Sequence, residues 1–139
     1  MGDSLEILAL TNAFKKATTE KQFCAIGSVK ANMGHSESAA GIAGLTKILW
    51  QLKHKVLVPT INSEEVNPNI NFEATPFYLQ RKVTSWEKVN NTPRRALINS
   101  FGAGGVNSCL VVEEYEQEAK TVQKTINNEP QLIVLSAKN

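Results

Sequence analysis

The stretch Ser28-Val-Lys-Ala-Asn-Met-Gly-His35, continued by Ser-Glu-Ser-Ala-Ala-Gly-Ile-Ala-Gly44, carries the most information about the fold. Its pattern predicts a short strand, a tight turn with His35, and a helix of very small residues. The histidine follows a glycine turn close to a lysine, at the point where a helix begins. This arrangement can hold the imidazole of the histidine at a fixed angle in a pocket. A neutral imidazole held in this way can donate a hydrogen bond to an oxyanion. The alternative is a surface lysine and a turn histidine with local hydrogen bonds, because short motifs also match by chance.

The elements around this stretch follow from similar patterns. Ser36 or Ser38 is expected to cap the following helix, with Glu37 favourable near its positive end. This helix has apolar residues at helical spacing, and it begins with so many alanines and glycines that we expect close packing against another backbone. Residues 23–30 are predicted as a buried strand, and residues 3–18 as an N-terminal helix.

A second glycine-rich segment, Phe101-Gly-Ala-Gly-Gly-Val-Asn107, joins two predicted strands at residues 95–100 and 108–114. A plain glycine-rich hairpin is the simplest interpretation. A phosphate-binding loop is disfavoured, because the spacing is not G-x-G-x-x-G and a strand rather than a helix follows. A third interpretation is that the glycines let backbone amides approach a reacting thioester. Residues 56–89 are predicted to be rich in turns, with only short extended pieces.

The composition excludes several classes of function. The chain has 139 residues, enough for one domain, and a net charge of +2 without a basic tract, so nucleic-acid binding has little support. No apolar run approaches the ~20 residues that span a membrane, and we expect no membrane partner. Cys24 and Cys109 lie in apolar, strand-like runs and are expected to be buried and reduced, which indicates the cytoplasm. No cluster has metal-ligand spacing, so no metal site is expected.

Several segments, in order, resemble the C-terminal portion of the β-ketoacyl synthases, the condensing enzymes of fatty-acid and polyketide assembly. The stretch from Ser28 to Gly44 resembles their lysine–histidine motif, and Asn99-Ser-Phe-Gly-Ala-Gly-Gly-Val-Asn107 resembles their closing glycine loop. Gly2-Asp-Ser-Leu-Glu6 is similar to the Gly-Asp-Pro-Ile-Glu segment that follows the family's His-Gly-Thr-Gly-Thr motif. The downstream proline and asparagine segment of the family is matched by Val58-Pro-Thr-Ile-Asn62 and Asn67-Pro-Asn-Ile-Asn71.

Three positions depart from the fatty-acid enzymes. Ala103 stands where those enzymes usually carry Phe, and Gly44 where they carry Glu. Both differences resemble modular polyketide synthases, and the Gly-Ala-Gly-Gly form is most similar to those served by a free-standing acyltransferase. Val106 replaces the usual Thr or Ser.

The resemblance implies an α/β fold, namely the C-terminal part of a thiolase-like arrangement whose layers alternate as α-β-α-β-α. Residues 1–115 would form the C-terminal part of the ketosynthase domain. Residues 116–139 would form a linker and the start of the following segment, including a strand signal at residues 131–136.

The resemblance also implies roles for individual residues. His35 would be the second catalytic histidine, and Lys30 the lysine that supports the site. Lys30 would pair with Glu6 or Asp3, two residues that also suit helix caps. The amide of Ala103 would be one oxyanion-hole donor. The positions implied for substrate binding are Phe101, Gly102, Gly104, Gly105 and Asn107.

In the family, a cysteine takes the acyl chain from an acyl carrier protein, malonyl carrier protein is decarboxylated, and two histidines stabilise the enolate. This sequence matches neither the cysteine motif nor the first histidine. We therefore expect a chain that is inactive alone and that pairs with an upstream ketosynthase half or a second copy of itself. The resemblance implies no directly bound cofactor, because substrates arrive on the phosphopantetheine of the acyl carrier protein. The open alternatives are a structural or docking fragment, part of a non-elongating ketosynthase that only passes chains on, and a module that binds a phosphopantetheine arm.

Overall fold

The computed structural model describes residues 2–116, which alternate between helices and short strands. In chain order the elements are α1 (Gly2–Phe14), β1 (Cys24–Ile26), α2 (Lys30–Met33), α3 (Ala40–His54), β2 (Val56–Leu57), β3 (Phe77–Leu79), β4 (Thr84–Ser85), β5 (Arg95–Phe101) and β6 (Asn107–Glu113). The predicted N-terminal helix is confirmed, although it ends at Phe14, and so are the two strands around the glycine-rich segment. Apart from residue 116, the linker segment predicted at residues 116–139, with its strand signal at residues 131–136, lies outside the described residues.

The strands pair two by two. β1 and β3 are parallel, with Cys24 opposite Phe77, whereas β2 and β4 are antiparallel. β5 and β6 form an antiparallel hairpin whose register runs from Arg95 opposite Glu113 to Phe101 opposite Asn107. The hairpin therefore presents the glycine-rich segment at its tip.

The strand predicted at residues 23–30 is wrong beyond Ile26, because Lys30 begins the one-turn helix α2. The chain turns at Gly27 and Ser28. A Cβ atom on Gly27 would lie 2.9 Å from the Thr60 Oγ1, so only glycine fits against this hydroxyl. The Thr60 hydroxyl accepts a hydrogen bond from the amide of Ser28 at 3.1 Å, which takes that amide away from any strand ladder.

The predicted caps of the following helix are also wrong, because neither Ser36 nor Ser38 makes a side-chain cap hydrogen bond. Ser36 is followed by a 3₁₀ turn at Glu37–Ala39, which leads directly into α3. The Ser36 carbonyl instead accepts a hydrogen bond from the Ala39 amide at 2.8 Å. The Ala39 amide at the start of the helix thus has a backbone acceptor, and no serine hydroxyl takes that place.

Helix α3 packs against β5, as its small residues led us to expect. A Cβ atom on Gly41 would lie 3.3 Å from the Ser100 Oγ, which is a tight contact. A Cβ atom on Gly44 would lie 3.7 Å from a methyl group of Ile98, an ordinary van der Waals distance. Close approach therefore requires a small residue at Gly41, whereas the packing leaves room for alanine at Gly44.

The described part of the chain has a thin core. Its buried apolar side chains are Ile7, Leu52 and Phe77. Large apolar side chains on α3 and the hairpin remain exposed, among them Ile42 at 61% and Val111 at 65%. Exposed apolar groups spread over a helix and a neighbouring hairpin are typical of surfaces that contact more protein.

The expectation of two buried cysteines is wrong for Cys109 and only partly met for Cys24. Both thiols are free, but Cys24 is half-buried and Cys109 is exposed. Cys109 lies on β6, whose outer face has no covering element among residues 2–116, and its sulfur contacts the Asn99 side chain at 3.2 Å. Burial raises the pKa of the Cys24 thiol, which lowers the thiolate fraction available for nucleophilic attack.

An ion pair closes the base of the hairpin. Glu114 accepts hydrogen bonds from the Arg94 amide at 2.9 Å and from the Arg94 guanidinium at 2.7 Å, and both side chains are at least nine-tenths buried. Lys88 lies 3.5 Å from the same carboxylate. The hydrogen bond from the Arg94 backbone amide, helped by the two cations, lowers the pKa of Glu114 below its usual range.

Replacing Glu114 by Gln should lower the melting temperature of the chain at neutral pH, because the ionised carboxylate is the form that the site stabilises. A depressed pKa contributes stability above the ordinary glutamate pKa, and this contribution is lost as the pH falls through the depressed value. The gap between Glu114→Gln and the wild type should therefore close on acidification. Glu113→Gln is the matched control, because its pair with Arg95 is half-exposed. Equal losses for both variants in circular dichroism melts would contradict this account.

Candidate functional site

Two segments singled out from the sequence meet at one end of α3. Gly41 in the first turn of α3 lies against Ser100 near the end of β5. His35 precedes Gly41 by six positions, and Ala103 follows Ser100 by three. The contact therefore places the histidine segment and the glycine-rich loop at the same end of the helix. No hydrogen bond within residues 2–116 joins His35 directly to the loop.

The backbone fixes which nitrogen of His35 carries the proton. The amide of Glu37 donates a hydrogen bond to the His35 Nδ1 at 2.9 Å. The Nδ1 atom must offer a lone pair to accept this bond, so the neutral ring carries its proton on Nε2. The exposed imidazole thus presents an N–H donor on the side away from the Glu37 amide.

Glu37 reaches this position through an unusual backbone conformation. Its φ angle is 48°, in the left-handed region that residues other than glycine seldom adopt. Such angles cost about 1–3 kcal/mol and persist where the surroundings impose them. Sequence reasoning missed this role, because it assigned Glu37 to the start of the helix by its charge. The group that contacts His35 is a backbone N–H, which every residue except proline has.

The glycine-rich loop is a closed turn that leaves several amides, among them that of Ala103, without an acceptor within residues 2–116. The Gly105 amide donates to the Gly102 carbonyl at 3.0 Å, and the Gly102 amide donates to the Val106 carbonyl at 2.9 Å. A Cβ atom on Gly102 would lie 3.0 Å from the Val106 oxygen, and Gly105 has a φ angle of 85°, so both positions require glycine. The Ala103 amide has no acceptor among residues 2–116. The loop can therefore offer this N–H to an external oxyanion.

Among the remaining predicted site residues, Lys30 does not pair with its predicted partners, whereas Phe101 and Asn107 lie together beside the loop. Lys30 is exposed at the start of α2, where its amide donates to the Ser28 hydroxyl at 3.2 Å. The ion pairs found in residues 2–116 include none between Lys30 and Glu6 or Asp3. Phe101 and Asn107 face each other across the last hairpin pair, beside the loop. The roles of these residues in a complete site stay predictions.

The described part of the chain contains neither a metal-ligand cluster nor a helix that could span a membrane. In the range 2–116, no three His, Cys, Asp or Glu side chains gather closely enough to hold a metal ion. No helix in that range is both long enough and apolar enough to cross a bilayer. Among residues 2–116, the Nε2 of His35 and the amide of Ala103 are two groups that can donate hydrogen bonds to a substrate.

Comparison with known proteins gives two successive matches, to the family models "Beta-ketoacyl synthase, C-terminal domain" over residues 1–64 and "Ketoacyl-synthetase C-terminal extension" over residues 67–139. The chain belongs to the β-ketoacyl synthase family. Polyketide synthase PksR of Bacillus subtilis strain 168 is 54% identical over 125 residues, and the match covers 86% of this chain and 5% of that protein. Polyketide synthase PksM of the same strain is 51% identical over 143 residues, with 100% of this chain and 3% of that protein covered.

A solved ketosynthase shares the fold. The ketosynthase from module 6 of the bacillaene synthase from Bacillus subtilis 168, a C167S mutant, superposes with a TM-score of 0.82 at 47% identity. The match covers 85% of this chain and 22% of that ketosynthase. The predicted α/β fold, part of a thiolase-like ketosynthase, is confirmed. The chain thus corresponds to about a fifth of a ketosynthase domain and to a few per cent of the curated relatives.

Proposed function

We propose that this chain supplies the second catalytic histidine and one oxyanion donor of a polyketide ketosynthase. The observation that carries the proposal is the hydrogen bond from the Glu37 amide to the His35 Nδ1, because it leaves the ring as an Nε2–H donor. The unpartnered amide of Ala103, at the same end of α3, supports the second role. The proposed reaction is a decarboxylative Claisen condensation of acyl and malonyl thioesters carried by acyl carrier proteins.

His35 would act on the malonyl thioester. Loss of CO₂ breaks the bond between C2 and the carboxyl carbon, and the electron pair moves onto the thioester as an enolate. A hydrogen bond from the His35 Nε2–H to the enolate oxygen stabilises this charge without a full proton transfer. A neutral donor suits the step, because the same nitrogen must release the oxygen when the carbonyl forms again.

Ala103 would act on the acyl thioester held by the nucleophilic cysteine of the complete domain. Attack by the enolate carbon forms the new carbon–carbon bond and moves charge onto the acyl oxygen. The Ala103 N–H would donate to this oxygen together with the amide of the cysteine itself. Collapse of the intermediate breaks the carbon–sulfur bond, and the cysteine leaves as a thiolate that takes up a proton.

The exposed apolar surface supports a partner that completes the domain. Ile42 and Leu49 on α3 are at least half exposed, and so is Val111 on β6. Complete burial of a fully exposed side chain of this kind contributes roughly 1.5–3 kcal/mol, and these partly buried side chains would each contribute a part of that. We propose that the part of a ketosynthase with the nucleophilic cysteine covers these faces, with a second copy of this chain as the alternative. The acyl carrier protein would deliver its phosphopantetheine arm to the assembled site.

The substitution Ala103→Pro tests the oxyanion role in a complete ketosynthase that contains this chain. Ala103 is the second residue of the turn closed by Gly102 and Gly105, a position where proline is favoured. Proline therefore removes the N–H while the turn persists. We expect chain loading and condensation both to fall by ~10²–10³, the usual effect of losing one oxyanion donor.

Ala103→Ser is the matched control, because it keeps the amide and should retain most of the activity. Chain loading is measured as the intact mass of the chain that bears the nucleophilic cysteine. Condensation is measured as the amount of β-ketoacyl product on the carrier protein. Near wild-type rates for Ala103→Pro would contradict the role of this amide. A wild-type domain that loads chains but never extends them would support the non-elongating alternative.

A further inference from the structure

Lys47 lies in the middle of α3 and joins the helix to Ser28, the first residue of the segment that carries His35. Its ammonium group donates hydrogen bonds to the Ser28 carbonyl at 3.1 Å and to the Pro59 carbonyl at 3.5 Å. The side chain is partly buried, and burial lowers the pKa of the lysine. The two carbonyl oxygens are the protein acceptors that compensate the ammonium group for the water it loses on partial burial.

Ser28 is held from a second side by Thr60. The Thr60 hydroxyl accepts the Ser28 amide at 3.1 Å, and the Thr60 amide donates to the Gln80 carbonyl at 2.9 Å. Gln80 in turn donates its amide to the Ile26 carbonyl at 3.0 Å. Both backbone groups of Ser28 are therefore anchored, the amide to the loop after β2 and the carbonyl to α3.

The anchored residue is the start of the segment that carries the proposed chemistry. The Ser28 hydroxyl accepts the Lys30 amide, and from there α2 and one glycine turn lead to His35. The first turn of α3, at Gly41, packs against Ser100 beside the glycine-rich loop. One rigid helix thus contacts both the start of the histidine segment and the strand that leads to Ala103.

We propose that Lys47 is a positioning residue, which, with Thr60, fixes Ser28 and thereby sets the place of His35 relative to the Ala103 loop. This inference rests on the function proposed for His35. Lys47 touches no reacting atom, so its loss should impair the step that needs His35 and spare substrate binding. Misplacement of a catalytic group by about 1 Å can cost 10²-fold in rate.

The test is Lys47→Met in a complete ketosynthase that contains this chain. We expect kcat for condensation to fall about 10-fold to 10²-fold, with the KM for malonyl carrier protein and the rate of chain loading unchanged. Lys53→Met is the matched control, because Lys53 lies on the same helix, with its ammonium over the exposed Trp50 ring. This control should keep the wild-type kcat.

Thr60→Val provides a second variant that keeps side-chain volume and releases Ser28 from the other side. It should show the same selective loss of condensation, and the double variant should lose less than the product of the single effects, because both residues hold Ser28. Wild-type condensation by Thr60→Val, or equal losses of loading and condensation in Lys47→Met, would overturn the proposal. If His35→Ala alone abolishes condensation while these variants do not, the function of His35 stands and only the positioning role fails.

Discussion

His35→Ala should abolish decarboxylative condensation in a complete ketosynthase and leave loading of the acyl chain on the cysteine largely intact. The variant removes the Nε2–H donor that the Glu37 amide orients, and loss of such a donor costs ~10²–10³ in rate. Loading does not form an enolate, so it does not need this donor. The measurement is a single-turnover assay that follows the acyl-enzyme and the β-ketoacyl product by mass spectrometry.

His54→Ala is the matched control for this experiment, since His54 is the other histidine of the chain. It ends α3 and stacks on Trp50, with ring centroids 5.3 Å apart, far along the helix from Gly41. Its loss should leave both steps near the wild-type rate. Chain extension by His35→Ala at the wild-type rate would show that His35 does not stabilise the enolate.

The purified chain alone should form no acyl-enzyme and no condensation product. Cys24 lies within strand β1 with a pKa raised by burial, and Cys109 lies within β6, where its sulfur contacts the Asn99 side chain. Burial disfavours the nucleophilic thiolate of Cys24, and both cysteines lie within strands. The chain is incubated with an acyl thioester and its intact mass is measured. We expect no acyl adduct on the chain.

Addition of the ketosynthase part that carries the nucleophilic cysteine provides the positive control. An adduct on that part, and a product that depends on this chain, are the expected results. An adduct on the isolated chain that disappears in Cys24→Ala would contradict the assignment of both cysteines as structural.

The sequence allowed the family, the fold class and the main elements to be predicted, because the deciding patterns are local. The small residues before Leu45 predict close packing, and Gly41 against Ser100 confirms it. The glycine-rich segment between two strand patterns predicts a hairpin, and β5 and β6 form it. Each pattern lies within one short segment, whereas the partner of Gly41, Ser100, lies on a distant strand that the pattern does not identify.

The errors came from contacts between distant residues and from the backbone. The sequence predicts Lys30 at the end of a strand, because no residue near it indicates that the Thr60 hydroxyl accepts a hydrogen bond from the Ser28 amide. The role of Glu37 was missed for a different reason, since its amide rather than its carboxylate meets His35. Lys47 was not singled out, because its carbonyl partners lie 19 and 12 positions away in the chain.

The central claim is that the Nε2–H of His35 meets the oxygen on which charge develops. The most direct measurement is a crystal structure of a complete ketosynthase that contains this chain, with an amide-linked malonyl pantetheine analogue bound. The account predicts that the His35 Nε2 lies ~2.7–3.1 Å from the analogue's carbonyl oxygen, with Nδ1 still bonded to the Glu37 amide. A structure in which the oxygen is bound by other groups, and His35 points away from it, would contradict the account.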